Sequence, residues 1–160
     1  MPLDEQTRQI IRAFRAWIES AVNDGLRSVE HHDREDESLL ATRWKVNNHL
    51  WYEMTVRPFL PQVRVGVMTD DPWRSGDFER MIADAGFTIQ EFVALGFEAA
   101  GLDWPDPPVE HYRERGEEWG ECFYFVTPLD LSSIEQLADE AFREKASRIL
   151  AGYRHAFSGT

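Results

Sequence analysis

The chain has little cysteine and few basic residues, and both shortages restrict what it can be. Cys122 is the single cysteine among 160 residues, which excludes an intramolecular disulfide framework and a zinc site built from several cysteines. Lysine and arginine total 17 against 29 aspartates and glutamates, for a formal net charge of −12. Proteins that bind nucleic acid usually present a basic surface to the phosphates, so direct nucleic-acid binding is not expected.

The sequence also lacks a long apolar run. Asp4, Glu5, Arg8 and Arg12 interrupt the N-terminal region, which therefore has no segment typical of a signal peptide, and no stretch has the length of a membrane span. We expect a cytoplasmic protein that makes no membrane contact. Hydrophobic residues reach 42% and aromatic residues 12%, well above the composition of a disordered chain. The length predicts one domain over residues 1–160.

Apolar periodicity predicts a helix and then strands in the first half of the chain. Residues 4–24 carry apolar side chains at intervals of three and four, which predicts an amphipathic helix. Residues 30–37 contain no apolar side chain and predict a solvated loop or hairpin tip. The flanks of this segment, 26–29 and 39–46, are predicted to be strands, and 39–46 is the first of three consecutive strands, with alternating apolar residues predicting the second at 50–57 and the third at 63–67. The alternation in 50–57 is that of a half-buried strand.

Capping signals organise the second half. Ser75 is expected to cap a short helix, and residues 88–91 and 132–135 match capping boxes that begin two further helices. Two less regular segments, 109–115 and 121–127, predict a hairpin before the last helix. The order is then helix, three strands, helical region, two strands and helix. It predicts an α+β domain in which helices pack on one face of an antiparallel sheet of about five strands.

This order of elements resembles the type III secretion chaperone-like superfamily and the related bacterial sensory-transduction regulators. The resemblance covers most of the chain and rests on the element order, on Thr127-Pro128-Leu129-Asp130-Leu131 before the last helix, and on the acidic charge. It implies a dimeric protein that binds an unfolded or extended segment of a partner and has no enzymatic activity.

One charged segment contains residue types that bind metals. Residues 30–36 include His31 and His32 beside several carboxylates. Neighbouring side chains of a strand point to opposite faces, so two adjacent histidines rarely bind one ion. A solvated charged segment is the favoured interpretation, and we expect neither a metal nor another cofactor.

Two other patterns are candidates for catalysis. Asp70 and Asp71 follow a predicted strand, where hydrolases often place carboxylates, but Asp-Asp-Pro is also a turn and helix-entry signal, which is the favoured interpretation. His111 and Cys122 lie on the two strands of the second hairpin, where a base and a nucleophile can meet. A lone cysteine among aromatic residues is more often a small buried side chain, so no catalytic residue is assigned.

Surface aromatic residues are the remaining functional signal. Five tryptophans fall in predicted strands and loops, more than one modest core accommodates. Some of them are expected to be exposed and to bind a partner. The equally weighted alternative is that most of these rings pack under loops. The five tryptophans are Trp44, Trp51, Trp73, Trp104 and Trp119. The far end of the last helix carries surplus apolar residues that need a covering surface, either the first helix of the same chain or a second copy, and the favoured second copy predicts a homodimer interface. These apolar residues are Ile149, Leu150, Tyr153 and Phe157.

The sequence favours a non-enzymatic, chaperone-like binding module that holds a protein partner through an aromatic and acidic surface. The alternative is an acidic inhibitor or immunity-type protein whose charge of −12 covers a basic partner. A third hypothesis is a metal-dependent hydrolase centred on residues 30–36 or on Asp70 and Asp71. Salt separates the first two, because binding through charge weakens steeply with ionic strength and binding through aromatic rings does not.

Overall fold

A computed structural model describes residues 3–22, 28–116 and 120–158 of the chain. Its helices are α1 (Glu5–Ala21), α2 (Pro72–Asp84), α3 (Ile89–Ala99) and α4 (Glu140–Phe157), with a 3₁₀ helix at Ile134–Ala138. Its strands are β1 (Val29–Asp33), β2 (Leu40–Asn47), β3 (Leu50–Arg57), β4 (Gln62–Thr69), β5 (Glu110–Gly116) and β6 (Gly120–Asp130). The α+β class is confirmed.

The strands form one antiparallel sheet in the order β1-β2-β3-β4-β6-β5. Six strands are present instead of about five, because β1 forms within the segment that the sequence assigned to a loop. Its residues are half-buried or exposed, so no apolar pattern marks it. Its backbone pairs with β2 at the sheet edge, where charged side chains also discourage pairing with another chain.

All four helices contribute to a core on one face of the sheet. Alternate residues of β3 and β4, such as Met54 and Val65, meet the buried stripe of α4 there. The hydroxyl groups of Thr127 and Tyr153 are hydrogen-bonded at 2.7 Å inside this core. Burial raises the pKa of the Tyr153 hydroxyl, which therefore stays neutral and serves as a structural hydrogen-bonding group.

The sheet is strongly curled toward its other face. Arg57 Nη2 of β3 lies 3.9 Å from Glu114 Oε1 of β5, although β4 and β6 separate these strands. Three strand spacings in a flat sheet span about 14 Å. A Cβ atom added to Gly66 would lie 2.7 Å from Val126 Cα, so glycine permits the close approach of β4 and β6 at the bend.

The curl encloses a second, smaller core and buries two of the predicted surface tryptophans. Trp51 packs there with Met68, Tyr124 and Val126, whereas Trp44 belongs to the core beneath the helices. Both rings are inaccessible, so the prediction that Trp44 and Trp51 bind a partner at the surface is wrong. β3 is buried on both faces, not half-buried, because the curl covers its outer residues.

The predicted dimer residues are buried within the chain itself. Ile149, Leu150, Tyr153 and Phe157 are all at most 1% exposed. Rings from other elements cover them: Tyr153 contacts Phe97, and Phe157 contacts Phe78, Phe92 and Phe125. The prediction that these four residues form a dimer interface is therefore wrong, since α2, α3 and β6 cover the stripe.

Helix starts follow the capping signals in part. The Thr88–Glu91 capping box is confirmed, with both reciprocal hydrogen bonds present. Asp71 caps α2, so Ser75 lies one turn inside that helix instead of preceding it. Residues 132–135 do not form a capping box, because Ser132 bonds to Gln136 and the 3₁₀ helix intervenes; Asp139 then caps α4.

Over the ranges that the structure describes, none of the helices combines the length and the apolar character needed to span a bilayer.

Candidate functional site

An apolar groove lies between the outer face of α3 and the loop that follows it. Thr88 begins the helix, and Val93, Gly96 and Phe97 turn toward the core. The opposite face presents Ala94 and Leu95, so α3 is apolar on two sides. A helix of this kind buries one side in the core and leaves the other available to a partner.

The groove is open and has a volume of about 520 Å³. Leu95 is 48% exposed and Phe87 is 38% exposed, so both side chains present apolar surface at the groove. The loop supplies the second wall. The lining consists of Phe87, Glu91, Ala94, Leu95, Glu98, Gly101, Leu102, Asp103, Trp104 and Pro105.

The charged side chains that line the groove are all negative. Glu91, Glu98 and Asp103 line it, and the described lining contains no basic residue. One oxygen of Glu91 accepts the backbone N–H of Thr88 in the capping box. For Glu98 and Asp103, the described part of the chain shows no ion pair, so their charges face solvent at the groove.

Trp104 anchors the loop wall, and it is the predicted surface tryptophan that reaches this groove. Its ring stacks on Phe97 with centroids 6.1 Å apart. Lys145 of α4 lies 4.3 Å from the centre of the same ring, a cation–π distance. Arg148 donates to the Gly101 carbonyl at 3.0 Å and holds the start of the loop against α4. These contacts fix the wall and place two exposed basic side chains, Lys145 and Arg148, next to residues that line the groove.

Trp73 does not belong to this groove. Trp73 is 77% exposed near the start of α2, and it is absent from the groove lining. Its exposure agrees with the prediction that some tryptophans lie at the surface. That Trp73 binds a partner stays a prediction. Trp119 lies outside the described residues.

A polar cleft of about 840 Å³ occupies the curled face of the sheet. Arg43 Nε donates to Glu53 Oε2 at 2.6 Å at its base, and Arg57 lies near Glu114 at its side. Burial raises the pKa of Glu53, and the nearby Arg43 charge opposes this effect. Arg43 and Glu53 therefore partner each other at the base of the cleft, whereas the buried Nε of Arg57 has no hydrogen-bond partner among the described residues.

The histidines of the charged segment do not share a site. His31 Nε2 lies 2.8 Å from Glu19 of α1, whereas His32 Nε2 lies 3.0 Å from Glu30 of its own strand. Alternation along β1 turns the two rings to opposite faces. Within residues 3–22, 28–116 and 120–158, no group of three or more metal-binding side chains is close enough to hold an ion.

The two catalytic candidates also separate. Asp71 caps α2, as the helix-entry interpretation predicted. Asp70 Oδ1 lies 2.9 Å from His49 Nδ1, within hydrogen-bonding distance. Cys122 is buried on the curled face opposite Glu114, and burial raises the pKa of its thiol. His111 lies opposite Phe125 on the helix face. The sheet therefore divides Cys122 from His111.

Sequence reasoning missed the groove because it followed tryptophan alone. Leu95 and Phe87 are its two exposed large apolar side chains, and neither was predicted as a binding residue. The sequence did contain a signal for the groove. Intervals of three and four residues place four side chains on the outer face of α3, opposite the buried Val93 and Phe97: Glu91, Ala94, Leu95 and Glu98. Two apolar stripes on one short helix indicate a second contact.

Comparison with known proteins gives no identity. No family model matches the chain, and neither a curated protein nor a solved structure matches it significantly. The geometry of the molecule is accordingly the basis for the function proposed below.

Proposed function

We propose that the chain is a protein-binding module whose acidic-rimmed groove on α3 takes a basic segment of a partner protein. The segment carries one or two large apolar side chains next to arginine or lysine. The observation that supports this occupant is the placement of the exposed Leu95 between Glu91 and Glu98. Apolar contact supplies binding energy, and the flanking acids select a partner of positive charge.

Charge favours this partner over an acidic or neutral one. The net charge of −12 attracts basic segments over a distance of about 8 to 10 Å at moderate salt. An acidic segment would meet Glu98 and Asp103 directly. The groove also suits a short segment, since its volume of about 520 Å³ accommodates a few side chains and not a folded domain.

The resemblance to type III secretion chaperone-like proteins points in the same direction, because those proteins bind extended segments of partners. It rests on element order and charge and stays a prediction. The cytoplasmic location and the homodimer also stay predictions. The four buried residues of α4 cannot form the dimer interface, because they are covered within the chain.

Fluorescence anisotropy with two labelled peptides tests the proposal. One peptide alternates leucine and arginine, and the other has glutamate in place of every arginine. We expect the protein to bind the Leu/Arg peptide and not the Leu/Glu peptide. Leu95→Asp should weaken binding on the order of tenfold to a hundredfold, since burial of one leucine contributes about 1.5 to 3 kcal/mol.

A matched control distinguishes the groove from general attraction between opposite charges. Leu60→Asp adds the same charge at another exposed leucine, in the turn between β3 and β4. It should leave the affinity unchanged. Equal binding by wild type and both variants, with a steep loss in salt, would instead support the acidic inhibitor that covers a basic partner.

A further inference from the structure

Three residues on α2 and β5 form a chain of hydrogen-bonding groups. Ser75 Oγ lies 3.4 Å from His111 Nε2, and His111 Nδ1 lies 3.1 Å from Glu79 Oε1. Ser75 and Glu79 are one helical turn apart and face the same side of α2. His111 reaches them from the edge strand of the sheet. A hydroxyl, an imidazole and a carboxylate thus occur in the order used by serine hydrolases.

The carboxylate fixes which nitrogen of His111 carries the proton. An ionised Glu79 only accepts hydrogen bonds, so Nδ1 is the protonated nitrogen and donates to it. Nε2 then has a free electron pair and accepts the Ser75 hydroxyl. Burial lowers the pKa of His111, which keeps the ring neutral near pH 7. This is the protonation state that a general base requires.

Packing holds the base and leaves space beside the hydroxyl. The His111 ring lies 3.9 Å from the ring of Phe125, measured between centroids, and Phe125 is fully buried. Ser75 is only 4% exposed and lines an open pocket of about 250 Å³ with His111, Arg113 and Phe123, so a substrate reaches its hydroxyl only through this pocket. Gly76 borders the same pocket, and a Cβ atom there would have no neighbour within 4 Å. The pocket admits a small group.

We propose that Ser75 is a nucleophile for esters of small acyl groups, with His111 as its general base and Glu79 as the residue that orients His111. This activity is separate from the α3 groove and does not depend on it. It departs from the expectation of a chain without enzymatic activity, which the resemblance to the chaperone-like superfamily implied.

The reaction has two halves, and each returns its proton. His111 Nε2 takes the hydroxyl proton as Ser75 Oγ bonds to the acyl carbon, and the carbonyl electrons move to oxygen. The carbonyl re-forms and expels the alcohol oxygen, which takes the proton from Nε2. Water then attacks the acyl-serine with His111 as base, and the carboxylic acid leaves as Ser75 Oγ regains the proton.

Arg113 is the group available to the charged oxygen of the intermediate. Two amides at the start of α2 are occupied, since Asp71 Oδ1 accepts Trp73 N–H at 2.9 Å and the Asp71 carbonyl accepts Ser75 N–H at 3.2 Å. Arg113 follows His111 by two residues on β5 and therefore lies on the same face. It also lines the pocket, where its positive charge opposes the developing negative charge.

Labelling with a small alkyl fluorophosphonate tests the assignment. Ser75 Oγ displaces fluoride from phosphorus, and intact-mass and peptide mass spectrometry locate the adduct. We expect one label per chain, on Ser75. His111→Gln should slow labelling on the order of a hundredfold. Glu79→Gln should slow it less, because the Glu79 side chain is 55% exposed. Gly76→Leu should block the pocket while the serine remains.

Urea melts of each variant show that it is folded, and Ser133→Ala serves as a control at an exposed serine that makes no side-chain cap bond. The proposal is overturned if folded wild-type protein gains no label on Ser75, or if His111→Gln is labelled at the wild-type rate. Because the α3 groove is not involved, Leu95→Asp should be labelled as fast as wild type.

Discussion

Arg43 and Glu53 lie directly opposite each other on β2 and β3, and Arg43 Nε donates to Glu53 Oε2 at 2.6 Å. The pair lies on the curled face of the sheet, and its side chains are 11% and 7% exposed. A charged pair at such depth offsets the cost of its own desolvation but adds little net stability, whereas the loss of one partner leaves an uncompensated charge.

We therefore expect Arg43→Met to destabilise the fold by about 3 kcal/mol. The double variant Arg43→Met/Glu53→Leu should recover most of this loss. Burial raises the pKa of Glu53 above its usual value, so the carboxylate costs stability above about pH 4.5 and the cost disappears as pH falls and it protonates. Urea melts of the single variant should accordingly show a smaller deficit at acid pH. A deficit that grows on acidification would contradict the pairing.

A second prediction concerns the crossing of α3 and α4. A Cβ atom on Gly96 would meet the Gly152 carbonyl and lie 2.9 Å from Ala156 Cβ. Gly96→Ala should therefore cost about 1 to 3 kcal/mol through overpacking. Gly76→Ala is the matched control within a helix, because its Cβ meets nothing within 4 Å. It should stabilise the protein by about 0.5 to 1 kcal/mol. If Gly96→Ala and Gly76→Ala change the free energy of unfolding equally in chemical denaturation, the close crossing of α3 and α4 is refuted.

The pH dependence of stability provides a third prediction, at His111. Burial lowers its folded pKa, against the opposing charge of Glu79 on α2, which faces the ring. As pH falls below about 6.5, the unfolded chain takes up a proton that the folded chain takes up only at lower pH, so stability decreases. His111→Gln should lose less stability than wild type between pH 7 and pH 5. A larger loss in the variant would show that the ring is protonated in the fold.

The acids of the α3 groove supply a fourth prediction. Glu98→Lys should weaken binding of the Leu/Arg peptide about fivefold, because an exposed ion pair contributes up to about 1 kcal/mol. Glu35→Lys makes the same change at the cleft on the opposite sheet face and should have little effect. Added salt should reduce the difference in peptide affinity between wild type and Glu98→Lys. Isothermal titration calorimetry at two ionic strengths measures both affinities. Equal losses in both variants would indicate attraction by net charge alone.

Much of the fold was predictable because its signals are local. The capping box at Thr88 and Glu91 involves residues three apart, and Asp71-Pro72 marks the start of α2 by short-range geometry. The β1 strand was missed for the opposite reason. Its only structural signal is pairing with β2, and a strand of charged residues at a sheet edge has no apolar pattern.

The candidate sites depended on long-range contacts that the sequence did not reveal. Ser75 was interpreted as a helix cap, although it meets His111 from 36 positions away. Trp44 and Trp51 looked available because a single core was assumed, and the curl of the sheet created a second one. The apolar stripe of α4 looked uncovered for a related reason, since the rings of Phe78, Phe92 and Phe97 come from helices whose packing was not known.

The binding role of the α3 groove can be tested most directly by mapping backbone amide shifts in ¹⁵N-labelled protein as the Leu/Arg peptide is added. We expect the perturbed amides to concentrate at Phe87, on the outer face of α3 around Leu95 and Glu98, and in the loop from Gly101 to Pro105. In the same titration of Leu95→Asp, the shift changes at these amides should be smaller. Perturbations confined to the polar cleft around Arg43 and Glu53, or spread evenly over the acidic surface, would contradict the account.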